Sequence, residues 1–273
     1  MLLKKLFVLL MILSTLVYAK QHDKFKISLG GMFVTDYETE MQLSRSGGLI
    51  QARLNTKDQL NMDTKSKVFR LDGYYRFTPK HGLDFSIFSA RSSGAREATN
   101  LPWDSQKLTG YIKSHFNMDV YKVDYAYSFY RNKDVELALS AGLHITTVDF
   151  GIELGAKGSL VDGKPIANPY TEGASVTAPL PVVGFKGCYH INKNWFVDYK
   201  ADYLYLKLDI DGTYYDGSLI STQLNLEYSF MENYGVGVGY NSNEIQLKVD
   251  DDVKRIDFVN TLSGVLLYLS YTY

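Results

Sequence analysis

The chain has 273 residues, a formal net charge of −1 and a single cysteine, Cys188. The near-neutral charge gives no reason to expect a nucleic-acid partner, and one cysteine excludes an intrachain disulfide. Tyrosine (22 residues) and phenylalanine (14) are frequent while proline (6) is scarce, a composition that favours strands over helices.

The N-terminus has the pattern of a secretory signal peptide. Lysines at 4–5 precede an apolar run over 6–17, and small residues flank a cleavage position after Ala19. We therefore predict a signal peptide over 1–19 and one domain over 20–273. The alternative is an uncleaved anchor, but the apolar run is short of the roughly 20 residues that a membrane helix needs.

Apolar and polar residues alternate along almost the whole remaining chain. In "WFVDYKADYLYLKL", Trp195, Tyr199 and Tyr203 share one face, whereas Asp198 and Lys200 share the other. A sustained period of two indicates long β-strands with one apolar and one polar face. In chain order we predict about ten strands, near 24–41, 66–78, 82–92, 108–130, 134–154, 177–191, 195–210, 213–230, 234–249 and 254–273.

The predicted connections alternate in length. Strands of about 9–11 residues suffice to cross a bilayer, and short turns opposite long loops are typical of outer-membrane barrels, with the turns in the periplasm. The fold predicted is an all-β, antiparallel, up-and-down transmembrane β-barrel in the bacterial outer membrane, with both termini periplasmic. Short turns fall at 78–82, 131–134, 192–194 and 231–235, and the long loops at 42–65, 92–107 and 155–177.

Two alternatives to a ten-stranded membrane barrel remain: a different number of strands, and a barrel with its apolar face inside. Eight or twelve strands are possible because 49–55 could form a further strand or an extracellular extension. A lipocalin-like cup would turn the apolar face inward, and alternation alone does not decide which face is inside. Tyrosines and Trp195 crowd the strand ends beside the turns, as in the aromatic girdles of membrane barrels, which favours the membrane barrel.

Three segments carry a resemblance to a known family. "VFRLDGYYRFTPKHGLDFS", "VYKVDYAYSFYRNKDVELALSAGLHIT" and "DGSLISTQLNLEYSFMENYGVGVGYNS" resemble, in strand and turn pattern, small barrel-only outer-membrane β-barrel proteins of proteobacteria. The resemblance spans about Phe25 to Tyr273 and implies fold, location and insertion by the barrel-assembly machinery. The aromatic residues Tyr271 and Tyr273 resemble the terminal signal for that machinery, and no periplasmic domain is expected after them. The family has no assigned activity, so the resemblance implies no functional residue.

If the apolar face meets lipid, the polar face lines the lumen. Both charge signs are interleaved on that face, and a barrel of about ten strands has little room beyond its own side chains. Paired charges are therefore expected to fill the lumen. The predicted lumen charge network is Lys26, Arg70, Asp72, Arg76, Asp84, Lys122, Asp124, Glu136, Lys186, Asp198, Lys200, Asp202 and Glu227.

Three functions follow as hypotheses. The favoured one is a structural or surface-interaction barrel without cofactor or metal, whose partners are outer-membrane lipid, lipopolysaccharide and an extracellular ligand at the long loops. The second is a narrow solute or ion channel. The third is a lipid-modifying enzyme in which His144 acts with Ser140 or Thr146 on one strand face, a weak signal because any polar face offers a hydroxyl near a histidine.

Overall fold

The computed structural model describes residues 24–45, 51–55, 67–103, 106–156, 160–161, 164–165, 170–210, 212–250 and 254–273. The predicted signal peptide, with its cleavage site at Ala19, lies outside these residues. Within them, no helix is long and apolar enough to cross a membrane. The elements are β1 (Phe25–Arg45), β2 (Gln51–Asn55), β3 (Lys67–Arg76), β4 (His81–Trp103), β5 (Gln106–Arg131), β6 (Val135–Ala156), β7 (Leu160–Val161), β8 (Lys164–Pro165), β9 (Tyr170–His190), β10 (Trp195–Ile210), β11 (Thr213–Ser229), β12 (Tyr234–Asp250) and β13 (Lys254–Thr272).

Ten of these strands form a closed antiparallel barrel. Each pairs with its neighbour along the chain, and β13 pairs with β1 from Lys26↔Thr272 to Arg45↔Lys254, which closes the ring. Among the described pairings, β2 pairs with the outer end of β1 alone, and β7 pairs with β8 in a separate ladder. The predicted ten-strand all-β barrel is confirmed, and β2, the described part of the segment 49–55, forms an extension rather than an eleventh barrel strand.

The strands at the end opposite the short turns run further than predicted. We call the end with the turns at 77–80, 132–134, 191–194 and 230–233 the turn end, and the opposite end the outer end. β4 and β5 pair as far as Trp103↔Gln106, so the predicted loop over 92–107 is wrong. Polar residues lie on both faces of these paired strands, since Ser92 is buried and Ser93 is exposed.

The other two predicted loops are shorter than expected. β9 already begins at Tyr170, opposite Leu154 of β6, so the last third of the predicted loop over 155–177 is strand. The predicted loop over 42–65 contains the last residues of β1 and all of β2, which pair with each other from Glu40↔Asn55 to Ser44↔Gln51. Main-chain hydrogen bonding to a long neighbour holds these polar segments in extended form.

Near the turn end, every barrel strand exposes an apolar face to the outside. Exposed large apolar side chains that ring a barrel mark its lipid-contacting surface, so the lipocalin-like alternative is wrong for this part of the molecule. We call this ring the apolar band. One member from each strand is Leu29, Phe69, Ile87, Val123, Leu139, Val183, Tyr199, Leu224, Val236 and Leu267.

Beyond the apolar band, the two faces of the strands exchange polarity. On β5, Val123 points outward and Lys122 inward, but closer to the outer end Phe116 points inward and Asn117 outward. The alternation of side chains continues without a break, so the backbone keeps its orientation and only the chemistry of the residues changes. Along β5, the outer half therefore has an apolar inward face and a polar outward face, whereas Thr39 of β1 and Asn260 of β13 are buried in the same half.

Four strands project together in the outer half. β4, β5, β6 and β9 stay paired there, and we call this sheet, over 88–103, 106–120, 147–156 and 170–182, the wall. Among the described pairings, the ladder of β9 with β10 stops at Val183↔Tyr203. Pro179 and Pro181 lie on the part of β9 beyond that point. Since proline cannot donate to a ladder, this edge of the wall is a poor template for another strand.

One large side chain, that of Tyr268, helps to fix the register of the closing strand β13. Tyr268 of β13 faces inward, is 6% exposed, and pairs with Gly30 of β1 on one side and Gly237 of β12 on the other. A methyl group on Gly30 would lie 2.6 Å from Tyr268 Cβ, and one on Gly237 would overlap the tyrosine ring. Both glycines therefore make the space that Tyr268 fills.

Candidate functional site

The lumen opens at the turn end into a polar cavity. The cavity measures about 1090 Å³, and Lys80, Lys133 and Lys193 stand on the turns that form its rim. Tyr74 and Phe196 contribute to its walls. Glu232 stands on the same rim, so the mouth carries both charge signs.

Every residue of the predicted lumen charge network lies on the inward face, buried or half-buried. Their ion pairs cross the lumen between distant strands. Arg76 of β3 donates to both carboxylate oxygens of Glu136 of β6, each at 2.7 Å, and Ser128 Oγ adds a third bond at 2.6 Å. This bidentate geometry, with further bonds to the same carboxylate, is the arrangement that offsets the cost of burying charge.

The carboxylate of Asp84 forms ion pairs with two lysines from the far side of the barrel. Its carboxylate lies 3.0 Å from Lys186 Nζ and 3.0 Å from Lys200 Nζ. Nearer the turn end, Lys26 Nζ lies 2.7 Å from Glu227 Oε2, and Ser270 Oγ donates to the other oxygen of Glu227 at 2.5 Å. Each of these buried carboxylates thus has more than one partner.

The remaining pairs extend the network toward β11. Arg70 Nε donates to Asp72 Oδ2 and Arg70 Nη2 to Gln223 Oε1, both at 2.7 Å. Asn225 Nδ2 donates to Asp198 Oδ1 at 2.9 Å. The lumen of the turn-end half is therefore filled by a connected network of charged and amide side chains.

His144 lies in the layer of this network farthest from the turn end. It is 1% exposed, and its Nε2 lies 3.3 Å from Asp202 Oδ2 and 3.7 Å from Asp124 Oδ1. Lys122 Nζ donates to Ser221 Oγ at 2.6 Å and lies 3.6 Å from Asp202 Oδ2. The histidine thus faces two carboxylates that come from other strands.

The hydroxyls proposed from sequence to act with His144 do not reach it. Ser140 and Thr146 share its strand face, but among the described residues neither ring nitrogen of His144 has a hydrogen-bond partner, and Thr146 Oγ1 has none either. A nucleophile and base need hydrogen-bond contact, or one water between them. The described geometry therefore offers no support for a Ser-His pair.

An apolar plug closes the lumen beyond the charge network. Phe116 is 1% exposed and contacts the rings of Tyr37, Phe150 and Phe258, with centroids at 5.7, 6.4 and 6.3 Å. These rings come from β1, β6 and β13, so the contacts span the lumen. We define the plug as the buried cluster of Met32, Val34, Tyr37, Val68, Phe88, Ala90, Phe116, Met118, Val120, Leu262, Leu266 and Tyr268.

The plug was not predicted, although the sequence contains the pattern that indicates it. In "HFNMDV", over 115–120, the inward positions are Phe116, Met118 and Val120, while the outward positions are His115, Asn117 and Asp119. Carrying the inward parity on from Lys122 and Asp124 along the same strand would have placed these apolar residues in the lumen.

The outward face of the wall carries exposed ion pairs. Arg91 Nη2 lies 2.6 Å from Asp119 Oδ1, and Lys113 Nζ lies 3.2 Å from Glu153 Oε1. The hydrogen bond from Lys113, followed by one from Tyr111, lowers the pKa of Glu153. A shallow concavity of about 480 Å³ lies beside Lys113 and Glu153, at the point where Gly151 has no side chain. The wall thus presents both charge signs on a rigid sheet.

The aromatic residues proposed as an assembly signal lie at the closing seam. The ring of Tyr271 packs against that of Tyr234 on β12, with centroids 5.3 Å apart. The carbonyl of Tyr273 accepts hydrogen bonds from the amides of Lys24 and Phe25. Their role as a signal stays a prediction.

This architecture, with an apolar exterior band, a polar lumen and short turns at one end, is that of a transmembrane β-barrel of the outer-membrane type. No protein-family model matches the sequence, and no curated protein matches it. Among solved structures, the outer membrane protease OmpT from Escherichia coli shares the fold with a TM-score of 0.61, at 12% identity, over 95% of this chain and 100% of that chain.

Two further solved structures are similar over most of their length. The toluene transporter TodX of Pseudomonas putida has 10% identity and a TM-score of 0.37, over 93% of this chain and 91% of that chain. Ail, the attachment invasion locus protein of Yersinia pestis, has 11% identity and a TM-score of 0.27, over 91% of this chain and 99% of that chain. The likeness to OmpT concerns the fold alone, and the other two scores are too low to support an argument.

Proposed function

We propose that this protein is a closed outer-membrane barrel that acts through its projecting wall and not through its lumen. The observation that carries the proposal is the plug: Phe116, Met32 and Leu262 are at most 1% exposed in the middle of the lumen. An apolar constriction excludes water and ions because they would lose hydration without gaining partners. The narrow-channel alternative has no comparable support.

In this proposal the turn end faces the periplasm and the wall faces the medium. Chain residues Lys24 and Tyr273 lie at the turn end, where their backbones are hydrogen-bonded, so both described termini share that side. Outer-membrane lipid contacts the apolar band. Arg91 and Lys113 of the wall lie beyond the band and are about half exposed, where lipopolysaccharide phosphates would be within reach.

Electrical recording tests whether the lumen is closed. Purified protein, folded in detergent and inserted into planar bilayers, should give no stepwise current. The double variant Phe116→Gly/Met118→Gly should admit ions, because it removes the two largest plug side chains of β5. Phe129→Gly, on the outward face of the same strand, is the matched control and should stay silent. Steady single-channel steps from the unaltered protein would overturn the closed-lumen proposal.

Cysteine labelling tests the orientation. In a Cys188→Ser background, Ser93→Cys places a thiol on the wall and Lys133→Cys places one on a turn, both at exposed positions. A membrane-impermeant maleimide should label the first variant on intact cells and the second only after the outer membrane is permeabilised. The reverse pattern would place the wall in the periplasm.

Binding by the wall can be tested without a known ligand. Fluorescent nanodiscs that carry the protein would be applied to a glycan microarray and to surfaces coated with purified lipopolysaccharide. The triple variant Lys113→Gln/His115→Gln/Glu153→Gln removes the charges around the concavity, and empty nanodiscs measure background. Signals that the triple variant loses would assign binding to the wall, whereas equal signals from both proteins would argue against it.

A further inference from the structure

Three potential metal ligands converge in the lumen without being close in sequence. Asp124 of β5, His144 of β6 and Asp202 of β10 are all buried, and one donor atom from each lies within 4.8 Å of the others. The strands that carry them are neighbours or near-neighbours in the order β5, β6, β9, β10. The barrel register, and not a sequence motif, brings these groups together.

Several donor atoms of this cluster lack partners. Among the described residues, His144 Nδ1, His144 Nε2 and Asp124 Oδ1 are buried without a hydrogen bond. The 3.3 and 3.7 Å contacts of Nε2 with the carboxylates do not have hydrogen-bond geometry. A buried polar atom without a partner costs about 1–3 kcal/mol. Two of these atoms, His144 Nε2 and Asp124 Oδ1, lie 3.7 Å apart, so one ligand between them would satisfy both.

Two glycines shape the cluster. Gly142 pairs with Asp124 across the β5–β6 ladder, and Gly184 pairs with Asp202 across the β9–β10 ladder. A methyl group at Gly142 would overlap Asp124 Oδ1, and one at Gly184 would clash with Asp202 Oδ1. The absence of a side chain at both positions lets each carboxylate lean over its neighbour strand toward His144.

We infer that Asp124, His144 and Asp202 form a buried site for a divalent transition-metal ion of the zinc class. One imidazole nitrogen with two carboxylate oxygens is a donor set that zinc accepts at about 2.0–2.2 Å, with a water as the fourth ligand. Ligands of a tetrahedral ion at that radius lie roughly 3.3 Å apart. His144 Nε2 and Asp202 Oδ2 already have this separation, and Asp124 Oδ1 lies 3.7 Å from the same nitrogen.

Lys122 and a proton on His144 compete with the metal ion for the negative charge of the two carboxylates. With a neutral imidazole, Lys122 and the two carboxylates leave one negative charge in the layer. A proton on His144 would neutralise that charge, and a divalent ion would change it to one positive charge. Lys122 does not need Asp202 as its partner, because its ammonium donates to Ser221 Oγ, which in turn donates to Asn243 Oδ1 at 2.7 Å. The lysine can therefore stay in place beside a bound cation.

Cobalt serves as the probe, because Co²⁺ occupies zinc sites and its visible absorption reports coordination geometry. Metal-free protein folded in detergent should take up one equivalent of Co²⁺ with the intense bands of a four-coordinate ion, and Zn²⁺ should displace it. His144→Gln and Asp124→Asn should each weaken binding at least about tenfold. His115→Gln removes the histidine of the exposed His115–Asp149 pair and should leave binding unchanged.

A folding check distinguishes a loss of metal binding from a loss of structure. Each variant is first shown to keep the heat-dependent gel mobility of the folded barrel, and Asp202→Asn replaces any variant that does not. Binding that survives both His144→Gln and Asp124→Asn would be adventitious and would overturn the site. So would correctly folded, unaltered protein that takes up no Co²⁺.

Discussion

The turn-end half and the outer half of this barrel use the same strands in opposite ways. In the turn-end half, charges such as Glu136 are buried inside while Val123 and the other residues of the apolar band face outward; in the outer half, Phe116 is buried while Arg91 and Asp119 face outward. On β5 the strand alternation continues unchanged between Val123 and Phe116. Polarity therefore reports the surroundings of each segment, lipid in one case and water in the other, and not the direction in which a side chain points.

The largest expected effect comes from the plug. Phe116→Ala should lower the free energy of unfolding by about 3–5 kcal/mol, because it leaves a cavity in a packed interior. Phe129→Ala on the outward face of the same strand, where lipid can fill the space, should cost less. Urea unfolding of both variants in lipid vesicles measures the difference. Equal losses would mean that the outer half has no packed core, and the contrast between the halves would fail.

The buried ion pair of the turn-end half comes next. Glu136→Gln should cost about 3 kcal/mol, because it leaves the Arg76 guanidinium buried without its carboxylate. The double variant Arg76→Met/Glu136→Leu should recover part of that loss, since both charges are then gone. Vesicle unfolding again provides the measurement. A double variant less stable than the single one would show that the pair is worth more than its desolvation cost.

A lysine placed on the outside should separate the halves along one strand. Val123→Lys puts a charge into the apolar band and should cost about 2 kcal/mol. Asn117→Lys lies on the same face of β5 but in the wall and should leave stability nearly unchanged. The comparison uses the heat-dependent gel shift of each folded barrel. If the two variants melt together, the apolar band does not end between these residues.

The smallest effect is expected on the outside of the wall. Asp119→Asn breaks the exposed pair with Arg91 and should cost under about 1 kcal/mol. That cost should vanish in about 1 M salt, where charges are screened within roughly 3 Å. The loss from Glu136→Gln should persist at the same salt concentration. A salt-independent loss at Asp119 would mean that its bond from Ser89, and not the ion pair, carries the effect.

The barrel fold, its ten strands and the outward direction of residues such as Val123 could be predicted from the sequence. The predicted loop at 92–107 is wrong because polar residues do not distinguish a loop from a paired strand that lies beyond the membrane. The plug was not predicted because one polarity rule was expected to hold along the full strand.

The arrangement around His144 could not have been predicted from spacing. Asp124 and Asp202 reach it only because the register places Gly142 and Gly184 opposite them. Spacing along one strand directed attention to Ser140, which shares the face of His144, whereas the described contacts come from other strands. Cross-strand register depends on the pairing of the whole barrel, and no short segment encodes it.

The position of Tyr268 has a consequence for how the barrel is completed. Its ring occupies the space above Gly30 and Gly237, on the two strands that flank β13. A slip of two residues against β12 would still set the ring opposite a glycine, Gly235 or Gly239, but the same slip against β1 would set it opposite Ser28 or Met32. Tyr268 therefore opposes a shifted register at the seam between β13 and β1, where the ring of strands closes.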